Sequence, residues 1–588
     1  MLFTASTLLT MALAQSVSLG KTSNAIVLSI DGFHQGDLEY LIKNSPNSRI
    51  AQLAAGGAQF TKAKTSVPSD SFPGTTTLIT GASPKTHGFY YDVAFSRNFY
   101  AVGDVNCTGP IGNSFAYDES IELGTNSNGD STRLDGGCES GKFENGCGIN
   151  INALPFKKVD GKCVPWFPHN EMRVNTVYEV AKANGYFTGH ADKHLAYDFV
   201  NGPSGNGVQD LYTPEISYYS NTLANVTTYD QLHVDAIVNW IKGNDHFGAS
   251  VAKNNGFIVG ANFQVVSTQQ KITQYANADK AMGGYLDAQF TPTPLLAKAI
   301  AQADEFVGQI IDALKACGKW DTTLLVVGAK HGQSPVDRSG LKLLGDSNLN
   351  LLASNNNTIP SDAWATTNDD NALIWYRDPA NAAIVCPILK ANAATLGVTP
   401  AEIYCGADIV SLFGADPATD AKVPDIAVLP KAGNVIYTKP NNPKKNMEHG
   451  GASEDDTHVV LVVGGGPVAA FKGQKFDAPV NNAQVAPTIL KAIGIDINQL
   501  QGVAKEGTAP LPLFNAGGNG NVYTSASPVA QTTPCDIPVA TTKVPSGNVY
   551  GQSKPTTAAE YGTNVLSGAV VNSVSSVSVV ALLAAALF

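Results

Sequence analysis

Short apolar runs that alternate with helical patterns constrain the fold of this chain more than any other feature. Most of the runs are rich in Val, Ile or Leu, as strands buried in a parallel sheet are. They comprise Ala25–Ile30, Tyr186–Thr188, Phe257–Val259, Leu324–Val327 and His458–Val463. Apolar residues recur at helical spacing from Leu296 to Leu314, with Gly318 as the stop, and Arg173–Gly185 and Asn482–Ile493 fit further helices. The alternation predicts a three-layer α/β/α sandwich around a mostly parallel sheet, with insertions.

The two ends of the chain have the composition of targeting signals. Residues 2–14 are apolar and end in an A-x-A cleavage motif, which predicts a secretory signal peptide over 1–14. The tail Val577–Phe588 is too short to cross a bilayer and follows small residues and a polar spacer, which predicts a GPI-anchor signal over 567–588. A buried first helix and a disordered apolar C-terminus are the alternatives.

The composition between these signals predicts one large domain over 24–515 and then a stalk. Two segments interrupt the α/β pattern: 103–170 is rich in Gly, Asn and Cys, and 335–445 has strands of its own at Ala372–Tyr376 and Ile426–Leu429. Residues 516–566 are rich in Ser, Thr and Pro, as extended stalks are.

The net charge of the chain argues against one class of function, the binding of nucleic-acid polymers. The chain has 38 Lys and Arg against 49 Asp and Glu, a net charge of −11, and it lacks a basic run. Nucleic-acid polymers bind through such runs, so we expect no binding to them.

The eight cysteines predict disulfides, because the chain is predicted to be secreted. Cys138–Cys147 and Cys386–Cys405 are the expected local pairs, and the remaining pairing is open. Three N-glycosylation sequons agree with secretion. They begin at Asn106, Asn225 and Asn356.

Asp31 ends the first apolar run, where α/β sheets place their functional sites. Its carboxylate is either a ligand for a divalent cation or a helix N-cap. Ser71 precedes Pro73 and a helical pattern that stops at Gly81, so it lies at a helix N-terminus, where an anion or an alkoxide is stabilised. Ser71 is therefore a candidate nucleophile, with a capping serine as the alternative.

Two histidines lie in glycine-flanked turns. His331 follows an apolar run and His449 precedes one. Imidazoles at such places are natural Zn²⁺ ligands, although a single histidine is more often structural.

The segment Asp192–Asp198 follows another apolar run. Here Lys193 and His194 are candidate substrate-binding residues, Lys193 as an anion-binding group and His194 as an acid or base. The alternative is a solvated loop.

The order of these motifs resembles the alkaline phosphatase superfamily, and within it the type I phosphodiesterase/nucleotide pyrophosphatase family. The motifs run Asp31, Ser71-Phe-Pro, Thr80-Gly-x-x-Pro-x-x-His-Gly, His331-Gly and His449-Gly. The resemblance implies that Ser71 is the metal-activated nucleophile, in a position usually held by Thr. It further implies a metal bound by Asp31, Ser71 and His331, and His449 as a ligand of another.

The chain departs from that family at its metal ligands. Lys330 replaces the Asp expected before His331, and Gly260–Ser267 contains neither member of the expected Asp-x-x-x-His pair. Asp92 replaces an Asn that contacts a substrate phosphoryl oxygen and could supply a new carboxylate. We therefore expect one divalent ion, zinc, rather than two. Lys330 either stabilises transition-state charge or turns to solvent.

These observations predict a GPI-anchored, cell-surface hydrolase of phosphodiesters or nucleotide pyrophosphates. A phosphomonoesterase is the rival within the class. Thr75 stands where a sulfatase needs Arg, which disfavours that activity. The alternative from another class is an inactive family member that binds a ligand or partner at the cell surface.

Overall fold

The computed structural model describes residues 19–116, 121, 148–216, 219, 221–273, 281–336, 363–430, 445–514 and 535. An eight-stranded sheet forms its centre. Its strands in chain order are β1 (Asn24–Ile30), β2 (Ala58–Phe60), β3 (Phe187–Ala191), β4 (Asp210–Tyr212), β5 (Phe257–Phe263), β6 (Thr323–Gly328), β7 (Leu461–Gly464) and β8 (Gln474–Phe476). All five predicted apolar runs contribute a strand to it.

The order across the sheet is β8-β2-β7-β6-β1-β5-β3-β4. The strands from β6 to β4 pair in parallel, with Ala25 opposite Ile258 on one side and Leu324 on the other. β7 runs antiparallel to both of its neighbours, so the sheet is mostly parallel, as predicted, and not wholly so. Since β7 is buried throughout, its sequence is apolar in either direction and does not encode the difference.

Helices cover both faces of the sheet, which gives the predicted α/β/α layers. Alternate residues of β6 show this, because Leu324 and Val326 pack into one core and Leu325 and Val327 into the other. The helices are Gln35–Asn44, Arg49–Gly56, Ser71–Thr80, Pro84–His87, Val177–Ala183, Leu223–Lys242, Val265–Lys271, Pro294–Ala316, Ala382–Ala391, Ala407–Phe413, Glu454–Thr457, Val485–Ala492 and Gln501–Glu506.

The predicted helix stops are confirmed. Gly81, Gly185, Gly318 and Gly494 all have positive φ angles just beyond helix ends, a conformation that glycine adopts without strain. The helix Pro294–Ala316 buries the predicted apolar face against the sheet.

A second sheet lies within the predicted interruption 335–445. Its four strands are Ala363–Asn368, Asn371–Tyr376, Ile426–Val428 and Ile403–Cys405, in that spatial order. The expected Cys386–Cys405 disulfide joins one of its strands to the helix Ala382–Ala391. A bidentate ion pair between Arg173 and Asp420 connects this unit to the main body.

Two-residue and four-residue strands complete the structure. They are Ala63–Lys64, Val93–Ser96, Asn113–Ala116, Phe156–Val159, Lys162–Pro165, Ser334–Pro335, Met447–Glu448 and Val480–Asn481.

Disulfides Cys107–Cys163 and Cys317–Cys535 accompany Cys386–Cys405. The expected Cys138–Cys147 pair, the signal peptide and the anchor signal lie outside the described residues, as does the stalk apart from Cys535. Among the helices that are described, none combines the length and the apolar character needed to span a membrane.

Candidate active site

Four polar side chains meet at the carboxyl-terminal edge of the parallel strands. Asp31 directly follows β1, Asp192 follows β3, Asn262 is the penultimate residue of β5, and Lys330 lies two residues after β6. Because these strands are parallel, their carboxyl ends share one side of the sheet, where sites of α/β folds form.

Ser71 is the first residue of the helix Ser71–Thr80, at the end whose free N–H groups attract anions. The capping residue is Asp70, whose side chain accepts a hydrogen bond from Phe72 N at 3.2 Å. The Ser71 hydroxyl is therefore not used as the cap. Its Oγ lies 3.3 Å from His331 Nε2 and 3.5 Å from Lys193 Nζ, the surroundings of a nucleophile beside a base and a cation.

His331 is held in the tautomer that can accept a proton on Nε2. Its Nδ1 lies 2.9 Å from the carbonyl oxygen of Gly332, to which only a protonated Nδ1 can donate. Burial lowers the pKa of His331 to about 3, with Lys330 adding to the effect and Asp31 opposing it. The ring is thus neutral near pH 7, and the lone pair of Nε2 faces Ser71.

Lys330 is fully buried, which excludes the alternative of a side chain turned to solvent. Its Nζ lies 3.2 Å from Asp31 Oδ2 and 3.9 Å from Asp192 Oδ1, and it donates to Tyr197 OH at 2.8 Å. Burial by itself would raise the pKa of Asp31, but Lys330 and His331 outweigh it and hold that pKa well below its ordinary value. Lys330 therefore supplies the positive charge that Asp31 needs.

At Asp31 the residues do not fit a metal ion, because both carboxylate oxygens are already engaged. The Asn262 side-chain amide is oriented so that both its nitrogen and its oxygen have hydrogen-bond partners. In this orientation its nitrogen donates to Asp31 Oδ1 at 2.8 Å and its oxygen accepts from Lys330 Nζ at 3.0 Å. Gln264 donates to Asp31 Oδ2. A cation here would displace these donors and lie against an ammonium group. The ligand set predicted from the sequence, with Asp31, Ser71, His331 and His449, stays a prediction, and these contacts argue against Asp31 as a member of it.

Lys193 and His194 have different surroundings. Lys193 is buried beside Ser71, so the segment is not a solvated loop, and burial together with Lys330 lowers the pKa of Lys193. His194 pairs with Glu215 instead, with Nδ1 2.9 Å from Oε2. The substrate-binding role of His194 stays a prediction.

His449 stacks on His331 with ring centroids 4.0 Å apart. Among the described residues, its buried Nδ1 has no hydrogen-bond partner, and neither has Asp70 Oδ1, which lies 3.8 Å away. Buried polar atoms in folded proteins nearly always have partners. These two buried polar atoms therefore face each other without the usual hydrogen bonds.

Further acids lie close to His449. One ligand atom from each of Asp369, Glu448 and His449 lies within 4.8 Å of the other two. Lys445 Nζ lies 3.3 Å from Asp369 Oδ1 and 2.7 Å from Glu448 Oε2. Burial and Asp369 nevertheless raise the pKa of Glu448 to about 8.

Asp92 and Asp70 extend this acidic group. The Asp92 backbone N–H donates to Asp70 Oδ2 at 3.1 Å. Burial, followed by the charges of Asp70 and Asp369, raises the pKa of Asp92 well above its ordinary value. Burial, with a contribution from Asp369, raises the pKa of Asp70 to about 6.

The site thus consists of two halves that meet at the stacked histidines. The lysine half comprises Ser71, His331, Asp31, Asp192, Lys193 and Lys330. The acidic half comprises His449, Asp70, Asp92, Asp369, Glu448, Lys445 and the buried Lys271, which interacts with Lys445, Glu448 and Asp369.

Comparison with known proteins assigns the family. The family model for type I phosphodiesterase/nucleotide pyrophosphatase matches residues 25–109 and 162–453. The chain belongs to this family. The resemblance seen in the sequence is thereby confirmed, together with its place in the alkaline phosphatase superfamily and its α/β fold.

Solved structures of family members have the same fold at low sequence identity. Murine ectonucleotide pyrophosphatase/phosphodiesterase 5 aligns with a TM-score of 0.50 and 14% identity, over 80% of this chain and 95% of its own. The human counterpart aligns with a TM-score of 0.50 and 15% identity, over the same shares. An inactive murine variant in complex with AMP also aligns, with a TM-score of 0.50 and 14% identity, over 81% of this chain and 96% of its own. No curated protein matches the sequence.

Sequence reasoning missed most of the acidic half of this phosphodiesterase-family site. Asp70 and Glu448 each precede a predicted site residue directly, so adjacency was a usable signal. Asp369 lies in a turn of the second sheet, in the interruption before His449, and carries no local motif. Only the packing of that sheet against the main body brings it to the site.

Proposed function

We propose that the protein hydrolyses phosphate esters of the phosphodiester or nucleotide-pyrophosphate type, with Ser71 as the nucleophile. The observation that carries this proposal is Ser71 Oγ at a helix N-terminus, 3.3 Å from Nε2 of a neutral His331 and 3.5 Å from Lys193 Nζ. Family membership supports the reaction class.

The reaction proceeds in two displacements. Ser71 Oγ attacks phosphorus while its proton passes to His331 Nε2, and the departing oxygen leaves with that proton. Water then attacks the phosphoserine, again giving a proton to His331, which returns it to Ser71 Oγ as the bond from phosphorus breaks.

Positive charge in the lysine half opposes the charge on phosphorus oxygens. Lys193 and the free N–H groups at the start of the Ser71–Thr80 helix face the nucleophile, and Lys330 adds a buried charge behind them. One divalent ion, which we take to be zinc, would supply further Lewis-acid stabilisation when bound.

The substrate proposal is a nucleotide or a related diester. The murine relative in complex with AMP supports this class. Asp92 and Lys193, the predicted substrate-binding residues, lie in the two halves, so a substrate that spans both could contact each.

We also propose that the protein acts at the outer cell surface through a GPI anchor. The disulfides support an oxidising compartment, and the sequon residues Asn106 and Asn225 are exposed. Release of the protein from cells by phosphatidylinositol-specific phospholipase C tests the anchor, and retention after treatment would refute it.

A binding protein without turnover is the second candidate. The observation that favours it is that Lys330 occupies a position where a metal ligand is expected and forms an ion pair with Asp31. Such a protein would bind nucleotides and leave them intact.

Turnover of bis-p-nitrophenyl phosphate separates the two candidates. We expect wild-type activity to fall by about 10³-fold or more in Ser71→Ala, since the nucleophile is lost. Ser69→Ala is the matched control, because this buried serine donates to the Asp456 carbonyl oxygen and lies two residues away. Equal turnover in wild type and Ser71→Ala would refute the mechanism. Faster turnover of p-nitrophenyl phosphate than of the diester would favour the phosphomonoesterase.

A further inference from the structure

The two halves of the site differ in their balance of charge. In the lysine half two carboxylates, Asp31 and Asp192, face two ammonium groups, Lys193 and Lys330. Among the described residues of the acidic half, four carboxylates face two ammonium groups. The carboxylates are Asp70, Asp92, Asp369 and Glu448, and the ammonium groups are Lys271 and Lys445. The buried Asp370, next to Asp369 and Glu448, adds a further acid to this group. Uncompensated buried charge costs several kcal/mol, and a divalent cation would offset part of this excess of carboxylates.

Unpartnered atoms provide an independent indication at the same place. His449 is 4% exposed and Asp70 is fully buried, yet in the part of the chain that the structure describes His449 Nδ1 and Asp70 Oδ1 have no hydrogen-bond partner. These two atoms are 3.8 Å apart. Imidazole nitrogen and carboxylate oxygen are both ligands of zinc.

We propose that a single Zn²⁺ ion is bound in the acidic half by His449, Asp369 and Glu448, with Asp70 as the adjoining carboxylate, and not by Asp31. The inference rests on the proposed hydrolase site, since it assigns the metal of that site. Lys330 then provides in the lysine half the positive charge that a second ion would otherwise bring.

The geometry is compatible with this ligand set. The three ligand atoms lie within 4.8 Å of one another, while ligands around one tetrahedral zinc ion are ~3.3 Å apart. Binding of the ion would require Lys445 Nζ, which lies 3.3 Å from Asp369 Oδ1 and 2.7 Å from Glu448 Oε2, to turn away from these oxygens. In contrast to Asp31, this half also offers His449 Nδ1 and Asp70 Oδ1, which have no hydrogen-bond partner among the described residues. Tyr91 OH donates to Asp369 Oδ2 at 2.8 Å, the kind of supporting hydrogen bond that orients a metal ligand.

The stacked rings connect the ion to the nucleophile. His331 contacts Ser71 on one side and His449 on the other. A phosphoryl group bound at Ser71 would therefore have an ammonium group in one half and a metal ion in the other.

Zinc content of the full-length protein tests the proposal without any substrate. We expect about one zinc ion per wild-type chain after dialysis, measured by mass spectrometry of the metal, with titration calorimetry of Zn²⁺ on the chelated protein as a second readout. Asp369→Asn and Glu448→Gln each remove one carboxylate with little change in shape. Both should lower the zinc affinity by about 10-fold or more.

The controls are Ser71→Ala and Asp31→Asn, which alter the other predicted ligand set. Both should keep the zinc affinity of the wild type. Ser71→Ala removes a single oxygen, so it remains informative if Asp31→Asn does not fold. Circular dichroism establishes which variants are folded.

Three outcomes would overturn the proposal: no zinc binding by folded wild type, unchanged affinity in folded Asp369→Asn and Glu448→Gln, or loss of zinc in folded Ser71→Ala. Zinc bound as expected with no turnover of any phosphate ester would instead count against the hydrolase alone.

Discussion

The lysine half and the acidic half of the site differ in how the negative charge of their carboxylates is compensated. Both gather buried carboxylates at the edge of the sheet. In the lysine half, Lys330 compensates Asp31 at 3.2 Å from within the chain. In the acidic half, Asp70 and His449 each have a buried polar atom that finds no partner among the described segments. A covalently attached cation is always present, whereas a metal ion can be gained or lost, so only one half should respond to chelation.

The largest expected effect is on stability in the lysine half. Lys330→Met leaves Asp31 and Asp192 buried without their ammonium partner, and we expect the free energy of unfolding to fall by about 3–5 kcal/mol. Denaturant titration measures it. The double variant Lys330→Met/Asp31→Asn should lose less than the two single variants together, because the charge left uncompensated is smaller. Additive losses would show that the two residues do not compensate each other.

Lys193 tests whether the lysine half acts on the substrate. Its Nζ lies 3.5 Å from Ser71 Oγ. We expect Lys193→Met to lower kcat for bis-p-nitrophenyl phosphate by about 10²–10³-fold, the usual cost of losing one preorganised charge at a reacting group. Zinc content should not change. Lys475→Met, at an exposed position, is the control and should keep wild-type kcat. A kcat in Lys193→Met that matches this control would remove Lys193 from the mechanism.

The stability of the region beneath the lysine half should depend on pH, because a buried histidine there resists protonation. His233 lies beneath this half and donates from Nδ1 to the Asn262 carbonyl oxygen at 2.7 Å. Burial, with a contribution from Lys330, lowers the pKa of His233 to about 4 from an ordinary 6.5. As the pH falls from 6.5 to 4, the unfolded chain takes up this proton and the folded chain does not. The free energy of unfolding should therefore fall in that window, by up to roughly 3 kcal/mol from this residue.

Denaturant titrations between pH 4 and 7 check this dependence. His233→Asn keeps an N–H donor near the position of Nδ1 but cannot titrate. Its stability should fall less steeply with acidification than that of the wild type. Parallel curves for the two proteins would contradict the assignment.

The smallest expected effect concerns Lys445, the ammonium group that already compensates two carboxylates of the acidic half. Lys445 contacts both Asp369 and Glu448. Lys445→Met removes a charge that competes with the metal, so we expect Zn²⁺ to bind about tenfold more tightly, a change of about 1.4 kcal/mol. Titration calorimetry measures it, with Lys390→Met, a surface lysine paired with Asp408 at 3.2 Å, as the control. Weaker zinc binding in Lys445→Met would place the ion elsewhere.

Much of the fold could be predicted because its signals are local. Each predicted apolar run gave a strand, and Gly318 and Gly81 ended helices as their conformational freedom allows. The direction of β7 could not be predicted, since a strand buried on both faces has no sequence mark of its orientation.

The residues of the candidate site also divide into those with a local signal in the sequence and those without one. Asp31 and Ser71 were identified because each follows or begins an element whose pattern is visible in the sequence. His194 was proposed from proximity in sequence to Lys193, but the turn after β3 directs it to Glu215. Adjacency along the chain does not determine the direction of a side chain at the end of a strand.

By itself, the sequence determined the α/β class, the family and the identity of the residues at the strand ends. The tertiary structure alone decided that Lys330 pairs with Asp31 and that Asp369 comes to His449. Element formation depends on contacts a few residues apart, which periodicity reveals. Charge pairing depends on which distant segments the topology brings within a few ångströms, and a single sequence carries no pattern for that distance.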